Sequence, residues 1–329
     1  MPSSRLANRG TLVLTRMRKI SHMPRRQIPP STTPKMPKLS AAEQTKLSWA
    51  QFIGSYAAVP KVFQGFFEPL LAEGRAFPYA VLTPSYEGFL HRATEKLICD
   101  LGDEIHILER RGQGFDRLSY PLERISCVEV TGVLLDTRIK ISGLTRQGVP
   151  SSSTFKFNSV TDYLFTPILE NIRLATVESR DEVPSSELEK FDHWAGVSYK
   201  FMNYAKHSLV GGEKVIQAVL QAEIRAGEFT LMGRTFYRRI SPTHMTVLTD
   251  RELIIVREEG SKGGVDRYGG TWHYIPLKRV VALSMSRKGT LLAISIQLPQ
   301  DARIERLFQP SANREIDQLL DRFRELTGE

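Results

Sequence analysis

From Ser40 onward the apolar positions first repeat with a helical period and then alternate. Ser40-Ala41-Ala42-Glu43 has the S-x-x-E spacing of a capping box, which predicts a helix carrying Trp49, Phe52, Ile53 and Tyr56 on one face. Pro60 forces a new start. Val62, Phe63, Phe66, Phe67, Leu70 and Leu71 then follow the i, i+3, i+4 spacing of a second amphipathic helix, which Pro69 is expected to kink or restart. The polar face of this Phe-rich stripe lacks the dense Lys and Arg of a lipid-inserting helix, so it is expected to pack on the domain that follows.

From Phe77 the period falls to two. Residues 77–82, 96–99, 104–109, 115–120, 125–130, 138–142 and 153–157 read as short strands separated by turn signals such as Leu101-Gly102-Asp103. Asn158 or Ser159 caps a helix running to about Ala175, with Tyr163, Leu164, Ile168, Leu169 and Ile172 facing inward. The same order recurs later, with strands at 214–220, 245–248, 253–256, 272–275, 280–284, 291–298 and 303–308. Ser311 then caps a closing helix carrying Ile316, Leu319, Leu320, Phe323 and Leu326.

The two series align as an internal repeat. Glu104-Ile-His-Ile-Leu sits on Glu252-Leu-Ile-Ile-Val, Tyr120-Pro-Leu-Glu-Arg-Ile on Ile275-Pro-Leu-Lys-Arg-Val, and Arg138-Ile-Lys-Ile-Ser-Gly-Leu on Leu292-Ala-Ile-Ser-Ile-Gln-Leu. The second copy is longer mainly through Gly260 to Gly270, which reads as a mobile surface hairpin loop. Between the copies lies a polar break at 180–186. A helix from about Glu187 to Ser208 follows, with Phe191, Trp194, Ala195, Phe201, Met202, Ala205 and Leu209 on one stripe, ended by Gly211-Gly212. The stripe is too apolar for a solvated linker and is expected to pack on one or both copies.

Leu248-Thr-Asp-Arg-Glu-Leu-Ile-Ile-Val256 followed by Ile275-Pro-Leu-Lys-Arg-Val280, further strands and one C-terminal helix resembles bacterial pleckstrin-homology-like domains, which are related in fold to GRAM domains. Residues 208–328 carry the resemblance well and residues 76–176 more loosely, with Leu-Gly-Asp-Glu for the turn and Tyr-Pro-Leu-Glu-Arg-Ile for the second phrase. The resemblance implies an α+β chain of two tandem antiparallel barrels or sandwiches, each plugged at one open end by its C-terminal helix. The expected organisation is a disordered basic tail (1–42), an N-terminal helical segment (43–75), a first domain (76–176), a polar break with connector helix (177–207) and a second domain (208–329).

Charge sharpens this division. The chain of 329 residues carries a net +9, and all nine excess positive charges lie in residues 1–42, where no acid occurs. With six prolines and few large apolar residues, that tail is expected to be disordered. Its composition fits a transit peptide, an electrostatic arm or a segment without function. The neutral remainder excludes a protein-wide field for nucleic acid. Cys99 and Cys127 form no CxxC pair and read as small buried hydrophobes. No run approaches the length of a membrane span, so the chain is expected in the cytoplasm, or peripherally at the inner face of the membrane.

No metal or nucleotide motif emerges. His22, His91, His106, His193, His207, His244 and His273 match no ligand spacing, and neither a GxSxG elbow, a P-loop nor GxGxxG occurs. Gly263-Gly264 and Gly269-Gly270 read as hairpin turn residues. The neighbouring acids Asp103, Glu104 and Glu109, like Glu258 and Glu259, read as surface charges. No cofactor or metal is expected. One cluster stands out: Arg225, Arg234, Arg238 and Arg239, opposed locally only by Glu228, in the connection between the first two strands of the second domain. Arginines grip phosphate bidentately, and the resemblance implies that this connection is where phosphoinositide headgroups are held. Lys262 and Arg267 could lie beside it. The corresponding connection in the first domain, 83–94, has only His91 and Arg92. The expected function is a non-catalytic binding or scaffold protein whose ligand, a protein partner or anionic lipid, the sequence leaves open. The alternative is a peripheral membrane protein recognising anionic lipid through this cluster, and an enzyme with a site assembled from distant residues ranks third.

Overall fold

The computed structural model of the chain describes residues 46–87, 92–175, 182–231, 234–259 and 269–328. The expected basic tail and the glycine-rich loop at 260–268 lie outside them. The architecture is α+β, built mostly of antiparallel strands, and among the described residues no sheet closes on itself.

In the first half, β1 (Gln51–Ile53) and α1 (Lys61–Ala72) precede β2 (Tyr79–Thr83), the short pair β3 (Tyr86–Glu87) and β4 (Arg92–Ala93), β5 (Lys96–Asp100), β6 (Glu104–Arg111) and β7 (Gly114–Pro121). These form a five-stranded sheet in the order β1-β2-β5-β6-β7, with β3-β4 as a separate ribbon. Then come β8 (Ile125–Val133), β9 (Asp136–Leu144), β10 (Pro150–Asn158) and α2 (Thr166–Leu174). Alternation buries Val81, Ile98, Ile105 and Ile107 against Val128, Ile139, Ile141 and Phe155, with Ile168 and Ile172 of α2 closing the core.

The opposite face of the five-stranded sheet is covered by α1. Phe63, Phe66 and Phe67 pack with Ala80, Leu82, Leu97, Cys99 and Leu108, as the Phe-rich stripe requires. The helix continues past Pro69 instead of restarting. Pro69 sits in the final turn, which closes through Gly74 N–H to Leu71 O (3.0 Å) and Arg75 N–H to Leu70 O (3.1 Å), with Gly74 at φ 75°.

The second half follows a short α3 (Ser185–Glu189) and α4 (Ala195–Ser208). It comprises β11 (Val215–Gln221), β12 (Ile224–Leu231), β13 (Arg234–Ser241), β14 (His244–Thr249), β15 (Glu252–Glu258), β16 (Gly269–Pro276), β17 (Ala282–Lys288), β18 (Leu291–Gln297), β19 (Arg303–Phe308) and α5 (Asn313–Thr327). Val219, Leu253, Ile255 and Ile275 pack against Leu292, Ile294, Ile296 and Phe308, closed by Ile316, Leu319 and Phe323 of α5. On the other face of β14 and β15, the connector covers Met245, Val247, Ile254 and Val256 with Phe191, Trp194, Phe201 and Met202.

Several expectations need correction. The capping-box helix does not reach Tyr56: residues 51–53 form β1, because Ala50 N–H is taken by Thr161 Oγ1 (3.1 Å) and the chain completes the edge of β2. Asn158 does cap, accepting Val160 N–H (3.1 Å), but the first turns are 3-10 with Thr161 at φ −115°. That shifts the helical phase, so Tyr163 is 64% exposed and Phe165 is buried on Phe157 instead. The connector bends at Ser198 (φ −160°), and Ala195 leaves the apolar stripe for solvent. Ser311 makes no side-chain cap, and Leu326 lies on the exposed side of α5. The connections at 222–243 and 84–95 hold strand ribbons, not plain loops.

His244, buried in β14, lies with Nε2 2.8 Å from the Leu307 carbonyl oxygen and meets Phe308 edge-on at 4.7 Å. A neutral imidazole donates this bond through Nε2–H. Burial pushes its pKa down to about 4. Between pH 6.5 and 4 the unfolded chain therefore binds the extra proton, so stability falls as pH falls through that window, by about 3 kcal/mol. Urea unfolding at stepped pH is expected to show this slope in the wild type and a shallower one in His244→Gln.

Candidate functional site

The seven-stranded sheet has the order β10-β9-β8-β16-β15-β14-β11, so it runs from one half of the chain into the other. The seam is the β8–β16 ladder, in which Val128, Glu129, Val130 and Thr131 lie opposite Tyr274, His273, Trp272 and Thr271. Gly269 and Gly270 belong to this ladder rather than to a hairpin turn. A Cβ at Gly269 (φ 151°) would lie 2.3 Å from the Gly132 carbonyl oxygen, so the residue type is set by the approach of β8.

Strand alternation sends the seam residues to two faces. On one face Val130, Trp272 and Tyr274, with Ile139, Leu169 and Tyr204 of α4, line a mostly apolar cavity of about 860 Å³. On the other face Cys127, Glu129 and Thr131 of β8 stand beside His273 and Thr271 of β16, and this face floors a polar groove of about 680 Å³ whose far wall is β19. Lys140 and Arg257 extend the floor from β9 and β15, and Arg303 and Arg306 reach it from β19. Both halves of the chain contribute to this groove.

Its electrostatics are uneven. His273 Nε2 lies 3.5 Å from Glu129 Oε2, and this contact holds the Glu129 carboxyl below the usual carboxylate range. Arg257 pairs with Glu259 (2.5 Å) and Arg303 with Glu305 (3.3 Å). Lys140 faces Glu129 across the ladder without an ion pair. Arg306 shares the inward face of β19 with Ile304 and with the fully buried Phe308. It donates from Nη1 to the Glu305 carbonyl oxygen (2.7 Å), has no carboxylate partner among the described residues, and its buried Nε is unpartnered. Burial, then the nearby Arg257, pushes its pKa down to about 10. Nδ1 of the buried His273 is likewise unpartnered.

A second charged cluster is fully built and satisfied. Arg173 of α2 donates to Glu252 through Nε (2.8 Å) and Nη2, to the Ser208 carbonyl (2.7 Å) and to Glu213 (3.4 Å), and stacks 3.9 Å over Tyr274. Glu213 also accepts Val210 N–H (2.8 Å) and Thr249 Oγ1–H (3.0 Å), and burial beside Glu252 raises its pKa far above the carboxylate range. Glu104, aligned with Glu252 in sequence, is also buried and meets His106 Nε2 (3.1 Å) and Arg146 Nε (2.6 Å). Glu258 is buried against Lys200 (2.9 Å). Glu104 and Glu258 are therefore interior charges and not the surface ones expected. His106 and His273 sit in different pairs.

The expected arginine cluster is distributed along the β12–β13 ribbon. Arg225 stands opposite Arg239 in register, and its Nε donates to Glu223 (2.7 Å). Arg238 stands opposite Ala226, and being adjacent in strand to Arg239 it points to the other face. Arg234 opens β13 opposite Leu231, while Lys262 and Arg267 lie outside the described residues. The ribbon thus brings Arg225 and Arg239 together and sends Arg238 away.

Cys99 and Cys127 are buried free thiols. Among the described residues no group of three His, Cys, Asp or Glu side chains is placed to hold a metal, and no helix is long and apolar enough to cross a membrane. No protein-family model matches the sequence, and no curated protein matches it either.

Proposed function

We propose that the chain is a non-catalytic binding protein made of two pleckstrin-homology-like domains, 76–176 and 208–329, working in the cytoplasm as one body. Several features support the domain reading. Within 76–176 four strands (β2, β5, β6 and β7), extended by β1, pack on β8–β10, and within 208–329 four (β11, β14, β15 and β16) pack on β17–β19; in each a ribbon follows the first strand and one helix closes the core. Pro121 and Pro276 enter matching 3-10 turns at φ −56° with ψ 135° and 134°. In each half, too, a preceding helix covers the outer face of the four-stranded layer.

The observation that carries the binding reading is the polar groove at the seam. It draws Glu129 and Lys140 from one domain and Arg257, His273 and Arg306 from the other, so it exists only in the joined pair. A groove with unpartnered polar groups is built to be completed by a ligand. A scaffold reading of the tandem follows, in which the partner is recognised at the junction.

The second reading is peripheral binding to anionic lipid through the β12–β13 ribbon. Its support is that exposed Arg225 and Arg239 face one another on a ribbon outside both cores. Flotation on phosphatidylcholine vesicles with and without phosphatidylserine separates the two. The seam reading expects equal, low flotation of the wild type and of the triple variant R225E/R238E/R239E. Flotation on anionic vesicles alone, abolished by the triple variant, would move the site to the ribbon.

A further inference from the structure

We infer that the seam groove is a phosphate site, in which Arg306 and Lys140 neutralise a phosphate monoester group. This rests on the reading of the groove as the ligand site and goes beyond it by naming the chemistry.

Ile304, Arg306 and Phe308 share one face of β19; Ile304 and Phe308 pack on the core, so Arg306 lies on the core-facing side of the strand, half-buried at the mouth of the sandwich. A guanidinium in such a place normally gains a carboxylate, because an uncompensated interior charge is costly. Arg257 and Arg303 have theirs in Glu259 and Glu305. Arg306 does not; Nη1 is spent on a backbone carbonyl, while the Nε edge is buried and unpartnered. That edge of a guanidinium is a planar fork whose spacing matches two oxygens of a phosphate or carboxylate.

Two further features select a phosphate. Lys140 is the second cation of the groove without an ion pair among the described residues, and with Glu129 facing it across the ladder Lys140 and Arg306 together keep an excess of about one positive charge for an anion. With Nε2–H turned to Glu129, Nδ1 of neutral His273 on the same floor is an acceptor, suited to the P–O–H of a monoprotonated phosphate. Ser142 and Ser152, paired in register across β9 and β10, present hydroxyl groups along the same wall.

The test measures inorganic phosphate binding to the full chain by calorimetry at constant ionic strength, with chloride as the balancing ion. Arg306→Gln is expected to weaken binding at least about tenfold, and Lys140→Met by several fold, since charge-assisted hydrogen bonds carry most of the recognition. Lys140 lies on the open floor, so K140M keeps the test valid even if R306Q unfolds; circular dichroism checks both. The ribbon variant R225E/R238E/R239E is expected to bind as the wild type does. No phosphate binding by the wild type overturns the phosphate assignment while leaving the junction reading to the flotation result. Equal binding by wild type, R306Q and K140M overturns it too, by placing the ion elsewhere. A competition arm distinguishes the source: displacement by phosphatidic acid vesicles indicates a lipid headgroup, and displacement by glycerol phosphate alone a soluble ester, each in support of the site.

Discussion

Replacement of Arg173 by methionine is expected to lower stability by about 3–5 kcal/mol, the cost of breaking a buried charge network by removing one partner. Arg173 projects from the last turn of α2 and is enclosed by Glu213, Glu252, Ser208 and Tyr274, all from the connector or the second half. Burial disfavours its charge, but Glu252 leads the contacts that keep it protonated. Without it two buried carboxylates face each other, and Glu213 is already forced toward its neutral form by burial and by Glu252. The loss should therefore be larger at pH 8 than at pH 5, where protonation relieves the repulsion. Adding Glu213→Gln to R173M should restore part of the loss. Urea unfolding of the three proteins checks this, and a cost below about 1 kcal/mol would mean that the network is solvated and not interior.

The same network shows what could be read from the chain and what could not. Alternation located β5 to β10 and β14 to β19 because each has one face on a core, and inward residues such as Ile105, Ile107, Leu253 and Ile255 stand at every second position. The β12–β13 ribbon escaped because both its faces meet solvent at Arg225, Ala226, Tyr237 and Arg238, so no period of two marks it. Residues 50–58 depart from the expected helix because a capping-box spacing is local, whereas β1 forms by pairing with β2 while Thr161 takes the N–H of Ala50.

The seam groove left a trace in the sequence. Arg306 in Ile-Glu-Arg-Leu-Phe and His273 in Thr-Trp-His-Tyr-Ile occupy inward parity, where an apolar residue would be expected, and a polar side chain at such a position calls for a partner. Glu252 and Glu104 gave a similar signal, each opening a strand just ahead of buried apolar residues, Leu253 to Val256 in one and Ile105 and Ile107 in the other. What the pattern lacks is neighbourhood. It orients each strand but does not say that β8 pairs with β16, because that ladder depends on which two edges meet. The arginine cluster misled for the complementary reason: closeness in sequence along a strand places Arg238 and Arg239 on opposite faces.

Phe201→Ala is expected to cost about 3–5 kcal/mol, with Phe201→Leu costing less than about 1.5 kcal/mol. Phe201 is fully buried between α4 and the outer face of β14 and β15, and it meets Tyr204 edge-on at 5.6 Å, which in turn meets Trp272 at 4.8 Å. Truncation leaves a cavity under the only helix that covers Met245, Val247, Ile254 and Val256 among the described residues. Hydrogen exchange should then accelerate in α4 and along 244–258, while β17–β19, held by Phe308 and α5 on the other side of the sheet, stay protected. Because α4 lines the apolar cavity and not the polar groove, phosphate affinity per folded molecule should remain that of the wild type. A parallel loss of phosphate binding would mean that the two faces of the β8–β16 ladder are coupled, so that the connector helix sets the geometry of the groove through the strands it covers.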